Sequence, residues 1–163
     1  MLIKAEPKSV VYTVEDRYLG NYNGVAKIEK VEGIKEGAQK GTIIVHLRGA
    51  NNQHIVDWYG QKHTETPQTT FAQQMLNRAG GAQKSAGVEL FNEEIDGEND
   101  KAVRKAVYNI FKELTGKKVY ISQYTRQGFS MPNINYKFDE NARAILGKTS
   151  DEVANDDDEE IFG

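Results

Sequence analysis

Three histidines and a run of carboxylates are the groups in this 163-residue chain whose chemistry would be most consequential. His46, His54 and His63 lie close together in sequence, and His46 and His54 could face one another across a hairpin. Imidazoles at fixed spacing bind transition metals, but no His-Glu-x-x-His motif or carboxylate at a set distance accompanies them, so strand-face histidines without a metal are expected. Glu89, Glu93, Glu94, Asp96, Glu98 and Asp100 could hold a divalent ion for phosphoryl transfer. They lack the lysine and the spaced strand carboxylates of a nuclease core, and Gly87 and Gly97 beside them point to a solvated loop. The 15 glycines form no phosphate-cradling G-x-x-x-x-G-K-S/T or G-x-G-x-x-G motif after a strand. No cysteine is present, which excludes disulfides, thiolate catalysis and Cys-rich zinc sites. The reading is a protein that is not an enzyme and takes no cofactor or metal.

Binding chemistry is better represented. Eight tyrosines, one tryptophan and six phenylalanines are spread over the chain, repeatedly beside a cation. Aromatic faces stack on unpaired bases at about 1 to 3 kcal/mol each while cations neutralise phosphate, the combination that sequence-independent binding of a single strand requires. The candidate contacts are Arg48, Trp58, Tyr59, Lys62, Tyr120, Tyr124, Arg126, Phe129, Tyr136 and Lys137. Arg126-Gln127-Gly128-Phe129 is expected at a hairpin tip, where a loop can clamp a strand. Phe71, Phe111 and Phe138 are expected in the core.

These residues need elements to hold them. Strands are predicted over Ser9–Val14, Val25–Ile34, Thr42–Arg48, His54–Tyr59, Val119–Arg126 and Ile134–Phe138, where β-branched and aromatic residues recur or alternate. Asp16–Gly24 reads as a turn, and Gly49-Ala50-Asn51-Asn52 reads as a hairpin connection. In the strand after it, His54, Val56 and Trp58 share one face and Ile55, Asp57 and Tyr59 the other. Phe71, Met75, Leu76 and Ala79 predict a helix that Gly80-Gly81 stops; Val103, Val107, Ile110, Phe111 and Leu114 predict a second, capped by Gly116. Gln83–Asp100 is a polar stretch that Val88, Leu90 and Phe91 would dock, and Asn141–Leu146 a short last helix. The fold class expected is mainly β with helical insertions, an OB-fold-like antiparallel five-stranded barrel.

The C-terminus has a different composition. From Asp151 to Gly163 there are seven acids and no lysine or arginine, leaving 21 basic against 17 acidic residues in 1–150. A body of +4 thus carries a tail of −7, an asymmetry typical of polyanion binders. The tail cannot fold alone because like charges repel and almost nothing apolar is available to bury. It nevertheless closes on an apolar pair: Asp156, Asp157, Asp158, Glu159 and Glu160 run into Ile161 and Phe162.

That ending resembles the C-terminal peptide of bacterial and phage single-stranded DNA-binding proteins. Lys40–Val45 before a hairpin and Leu114–Ile121 look like segments of phage-encoded OB-fold proteins of the same kind. Two features depart from the family: its tails place proline before a final phenylalanine, whereas here Glu160 precedes Ile161 and Gly163 follows Phe162, and the helices near 70–80 and 101–114 exceed what a minimal barrel contains. The resemblance implies a single-stranded DNA-binding domain over 1–147 and an acidic partner-binding tail over 148–163, with the tail recruiting replication or recombination proteins. It also implies a phage-encoded protein acting in the host cytoplasm in DNA replication, recombination or repair. Apolar runs as short as Ile43-Ile44-Val45 span no membrane, and Met1-Leu2-Ile3-Lys4 opens no signal peptide. A homo-oligomer is a further possible state. Two other classes fit some of the same residues: a metal-dependent nuclease using the 89–100 carboxylates, and a protein-binding adaptor whose acidic tail mimics nucleic acid.

Overall fold

The computed structural model describes residues 1–7, 18–61, 66–126, 132–139 and 142; for 18–21, 124–126 and 132–133 it describes the backbone alone. The predicted strand at Ser9–Val14, the Gly128 turn and the last helix apart from Ala142 lie outside the described residues, as does the tail.

A long strand organises the rest. β1 (Leu2–Ile3) pairs with a short β5 (Ile95–Asp96), while β2 (Tyr18–Gly33), β3 (Ile43–Gly49), β4 (His54–Tyr59), β6 (Lys118–Arg126) and β7 (Pro132–Lys137) form one antiparallel sheet in the order β4-β3-β2-β6-β7. α1 (Gln68–Ala86) and α2 (Asp100–Glu113) lie between β4 and β6 in sequence. Three consecutive antiparallel strands with a fourth returning beside the first is a Greek-key connection. The chain is therefore mainly β, with two helices against the sheet.

The expected turn at Asp16–Gly24 is corrected. From Tyr18 the chain is already strand, and Gly20-Asn21 sits at a register shift against β6 rather than at a reversal. Long-range pairing overrides the local preference of Gly and Asn, which are used instead to admit a bulge. A second shift between Ile28 and Lys30 leaves Glu29 as the extra residue opposite β3. Bulges increase local twist, so β2 bends with neighbours on both sides.

The glycine pair at 80–81 does not stop α1, which continues to Gly87 in the left-handed region (φ 74). Close packing explains Gly80: a Cβ there would stand 2.9 Å from Leu90 Cδ1 and 3.1 Å from Ala5 Cβ. In α2 the Asn99 side chain accepts from Ala102 N–H and caps the first turn. Gly116 (φ 88) follows the helix and donates to Ile28 O at 2.7 Å, which ties the α2–β6 connection to β2.

One core joins the helices to the inner face of the sheet. Ile28, Val45, Leu47, Ile55, Val119, Ile121 and Ile134 meet Leu76, Val103, Val107 and Phe111 there. The sheet is not closed, contrary to the barrel expectation: β4 and β7 remain its edges and do not pair with each other. Side chains bridge them instead. Asp57 on β4 accepts from Arg78 of α1 at 2.9 Å and from the Tyr136 hydroxyl of β7 at 3.1 Å, and Arg78 also donates to Ile134 O at 3.2 Å.

Candidate nucleic-acid interface

Alternation puts the second set of side chains on the face of the sheet away from the helices. Registered pairing then builds rows across it that sequence proximity does not contain. His54 opposes Arg48, Arg48 opposes Lys27, and Lys27 opposes Lys118, so one row across β4, β3, β2 and β6 consists of basic residues. On one side lies the row Val56, His46 and Lys30, then Trp58, Ile44 and Glu32. On the other lie Val25, Tyr120 and Lys137, then Asn23, Ser122 and Asn135.

The charges in the row are not equivalent. Arg48 is held by Glu29 at 3.0 Å and by Asn52 O at 3.1 Å, and Lys30 pairs with Glu32 at 2.8 Å. Among the described residues Lys27 and Lys118 have no carboxylate partner. Like charges directly opposite on neighbouring strands destabilise a sheet, so these two ammonium groups favour an anion laid over them. Lys30 first and His46 second hold the Glu32 carboxyl below its usual range. That carboxylate therefore stays ionised wherever the face is used at neutral pH.

Aromatic groups flank the row. Trp58 is 38% exposed on the edge strand. A groove of about 290 Å³ leads from it around the β4 edge to Phe71, Gln74 and Met75 of α1. Tyr120 is half-buried, with Lys137 Nζ 5.7 Å from its ring centre. Arg48, Trp58, Tyr120 and Lys137 are thus gathered on one face as candidate contacts. Tyr124 and Arg126 stand opposite Gly20 and Tyr18 at the far end of β6. Lys62 and Phe129 lie outside the described residues.

Two candidates are corrected. Tyr59 is 0% and Tyr136 3% exposed, and both rings pack on Phe111, at 4.7 and 6.0 Å between centroids. They belong to the inward set of the alternation and present no face to a base. Burial pushes both phenols well above the usual tyrosine range, with Asp57 adding to it at Tyr59 and the Tyr59 phenol adding to it at Tyr136. A raised native value contributes stability that is complete below the unfolded tyrosine value, about 10, and is lost as pH rises through the native one. Alkaline titration followed by tyrosinate absorbance is expected to show these two phenols ionising only together with unfolding. The Tyr59→Phe, Tyr136→Phe protein should lose that step; a step of undiminished size would contradict the assignment.

Three of the six carboxylates at 89–100 have structural partners. Asp96 lies 3.5 Å from the N-terminal ammonium group, Glu98 accepts from the Thr69 hydroxyl, and Asp100 holds Arg104 at 2.8 Å. Arg104 in turn donates to Gly41 O at 2.6 Å, fixing the β2–β3 loop. Among the described residues no three His, Asp or Glu side chains come together to hold a metal ion. No helix there is long and apolar enough to cross a membrane.

Lys27 and Lys118 were not legible as interface residues in the sequence. Their proximity depends on the β2–β6 register, which follows an intervening stretch of about ninety residues. No protein-family model matches the chain, and no curated protein matches its sequence.

Proposed function

We propose that this protein binds single-stranded DNA without sequence preference, on the outer face of β2, β3, β4 and β6, and that its fold is a divergent, open OB type. The observation that carries this reading is the basic row across four strands, in which Lys27 and Lys118 face one another without a carboxylate partner among the described residues, flanked by half-buried Tyr120 in the next row and by exposed Trp58 two rows away on the other side. Adjacent strands are about 4.8 Å apart, so Arg48, Lys27 and Lys118 span about 10 Å, a track for backbone phosphates with aromatic platforms on either side. Counted within the sheet, β2 is first, β3 second and β4 third. A five-stranded, partly open Greek-key sheet that uses the face of its second and third strands for oligonucleotides is the OB pattern. The acidic tail, ending in Ile161-Phe162, recruits partner proteins in replication, recombination or repair and competes with DNA for the basic face.

The test is titration of oligo(dT) and of duplex DNA over a series of salt concentrations, followed by quenching of Trp58. Quenching with a steep salt slope and a preference for the single strand is expected; absence of binding at low salt would overturn the reading. Trp58→Ala should weaken binding by about 1 to 3 kcal/mol, the worth of one stacked base. Truncation after Ser150 removes the −7 tail and should raise affinity at low salt. An unchanged or weaker affinity would count against competition by the tail.

A further inference from the structure

On the same face, Glu32, His46 and His54 form a line. His46 Nε2 lies 2.8 Å from Glu32 Oε2, and His46 Nδ1 lies 2.9 Å from His54 Nε2. The rings are inclined by 5° with centroids 5.1 Å apart. Two imidazoles joined end to end by a 2.9 Å bond require that separation, so the rings are coplanar and edge to edge, not stacked face to face.

The partners fix the proton positions. A carboxylate accepts only, so His46 Nε2 carries the hydrogen toward Glu32. In a neutral His46 the other nitrogen is then an acceptor, and His54 must donate to it from Nε2. That leaves a lone pair on His54 Nδ1, on an exposed ring next to Arg48 in the basic row. A lone pair repels a phosphate oxygen. One added proton converts Nδ1 to a donor, and the charge is shared along the relay toward Glu32. A second added proton would set two N–H groups against each other between the rings, so the relay takes up one.

We infer that the Glu32–His46–His54 relay is a phosphate subsite that binds a backbone phosphate together with one proton. The inference rests on the face being the DNA-binding face, and names the chemistry of one contact within it. The charged groups around the relay are Lys30 and Glu29 from β2 and Arg48 from β3; Lys30 is paired with Glu32 and Arg48 with Glu29. The relay's two imidazoles are thus the part of this cluster that gains a charge by accepting a proton.

The experiment is calorimetric titration of the full-length protein with oligo(dT) at about pH 6 and about pH 8, in pairs of buffers that differ in ionisation enthalpy. The wild type should bind about five- to tenfold more tightly at the lower pH and take up about half a proton per bound oligonucleotide at intermediate pH. His54→Gln, a substitution at an exposed position, should bind with nearly flat pH dependence and without that uptake. Glu32→Gln should shift the rise to lower pH, because the carboxylate no longer stabilises the charged relay. His63 is present in every one of these proteins and cancels in the comparison. If His54→Gln keeps the wild-type pH profile and proton uptake, the relay inference is wrong while DNA binding stands. If the wild type binds no oligonucleotide at either pH, the functional reading fails first and the subsite with it.

Discussion

Replacing Lys27 and Lys118 together by glutamate is expected to abolish most of the affinity for single-stranded DNA while leaving the fold intact. Both side chains lie on the outer face, opposite each other, with no carboxylate partner among the described residues. Each phosphate contact on a single strand releases roughly 0.7 of a counterion, so the alanine versions should lower the slope of log affinity against log salt by about 0.7 apiece. Charge reversal adds repulsion to lost attraction, and on the order of a hundredfold loss is expected at low ionic strength for the double replacement, shrinking as salt rises. The stability of the same protein should be little changed, because the double replacement exchanges one like-charged pair across β2 and β6 for another, while the carboxylate at 27 gains an opposite charge in Arg48 on β3. Titration of oligo(dT) at low and moderate salt, with urea unfolding as the control, measures both. Equal affinity in wild type and variant would remove the basic row from the interface.

Local chemistry and long-range register divide what could be read from the sequence. The β3–β4 hairpin was legible because the alternation from His54 to Tyr59 and the Gly49–Asn52 connection agree, and Asn52 indeed takes a positive φ of 66. The same alternation already put Trp58 and Tyr59 on opposite faces, so counting both as contacts on one face conflicted with the pattern. Tyr136 shared a face with Ile134 and carried the same warning. The stripe Val103, Val107, Ile110, Phe111 located α2 because an amphipathic helix of 14 residues leaves little choice of face. Gly80-Gly81 misled because glycine in a helix can signal close approach as well as termination, and only the neighbours Leu90 and Ala5 decide which. The relay from Glu32 to His54 requires the bulge at Glu29 in the β2–β3 register and the lysine pair requires the β2–β6 register, and a bulge of one residue reverses which face every later side chain occupies.

The seam between the sheet edges yields the largest expected effect on stability. In a closed barrel, backbone hydrogen bonds would join β4 to β7; here Asp57 joins them through its two oxygens, one to Arg78 and one to Tyr136. Asp57 is 4% exposed, and the Arg78 guanidinium also lies 4.2 Å from the Tyr59 ring centre. Asp57→Ala removes the acceptor for a guanidinium and for a buried hydroxyl at once. Breaking a buried ion pair by deleting one member costs about 3 to 5 kcal/mol, and since the Arg78 side chain is 37% exposed and can be rehydrated in part, about 3 kcal/mol is expected. Tyr136→Phe deletes one bond to a charged acceptor and should cost about 1.5 to 2 kcal/mol. Asp57→Asn keeps an acceptor for either donor and should fall between the wild type and Asp57→Ala. Urea unfolding midpoints at unchanged slope give the three values. The consequence for function follows from alternation: Asp57 and Trp58 are successive residues on β4, so freeing the inner anchor loosens the outer aromatic. Asp57→Asn should therefore show altered Trp58 emission and a weaker quench by oligo(dT) while still folded. A loss below about 1 kcal/mol in Asp57→Ala would mean that the core around Phe111, not this carboxylate, holds the two edges together.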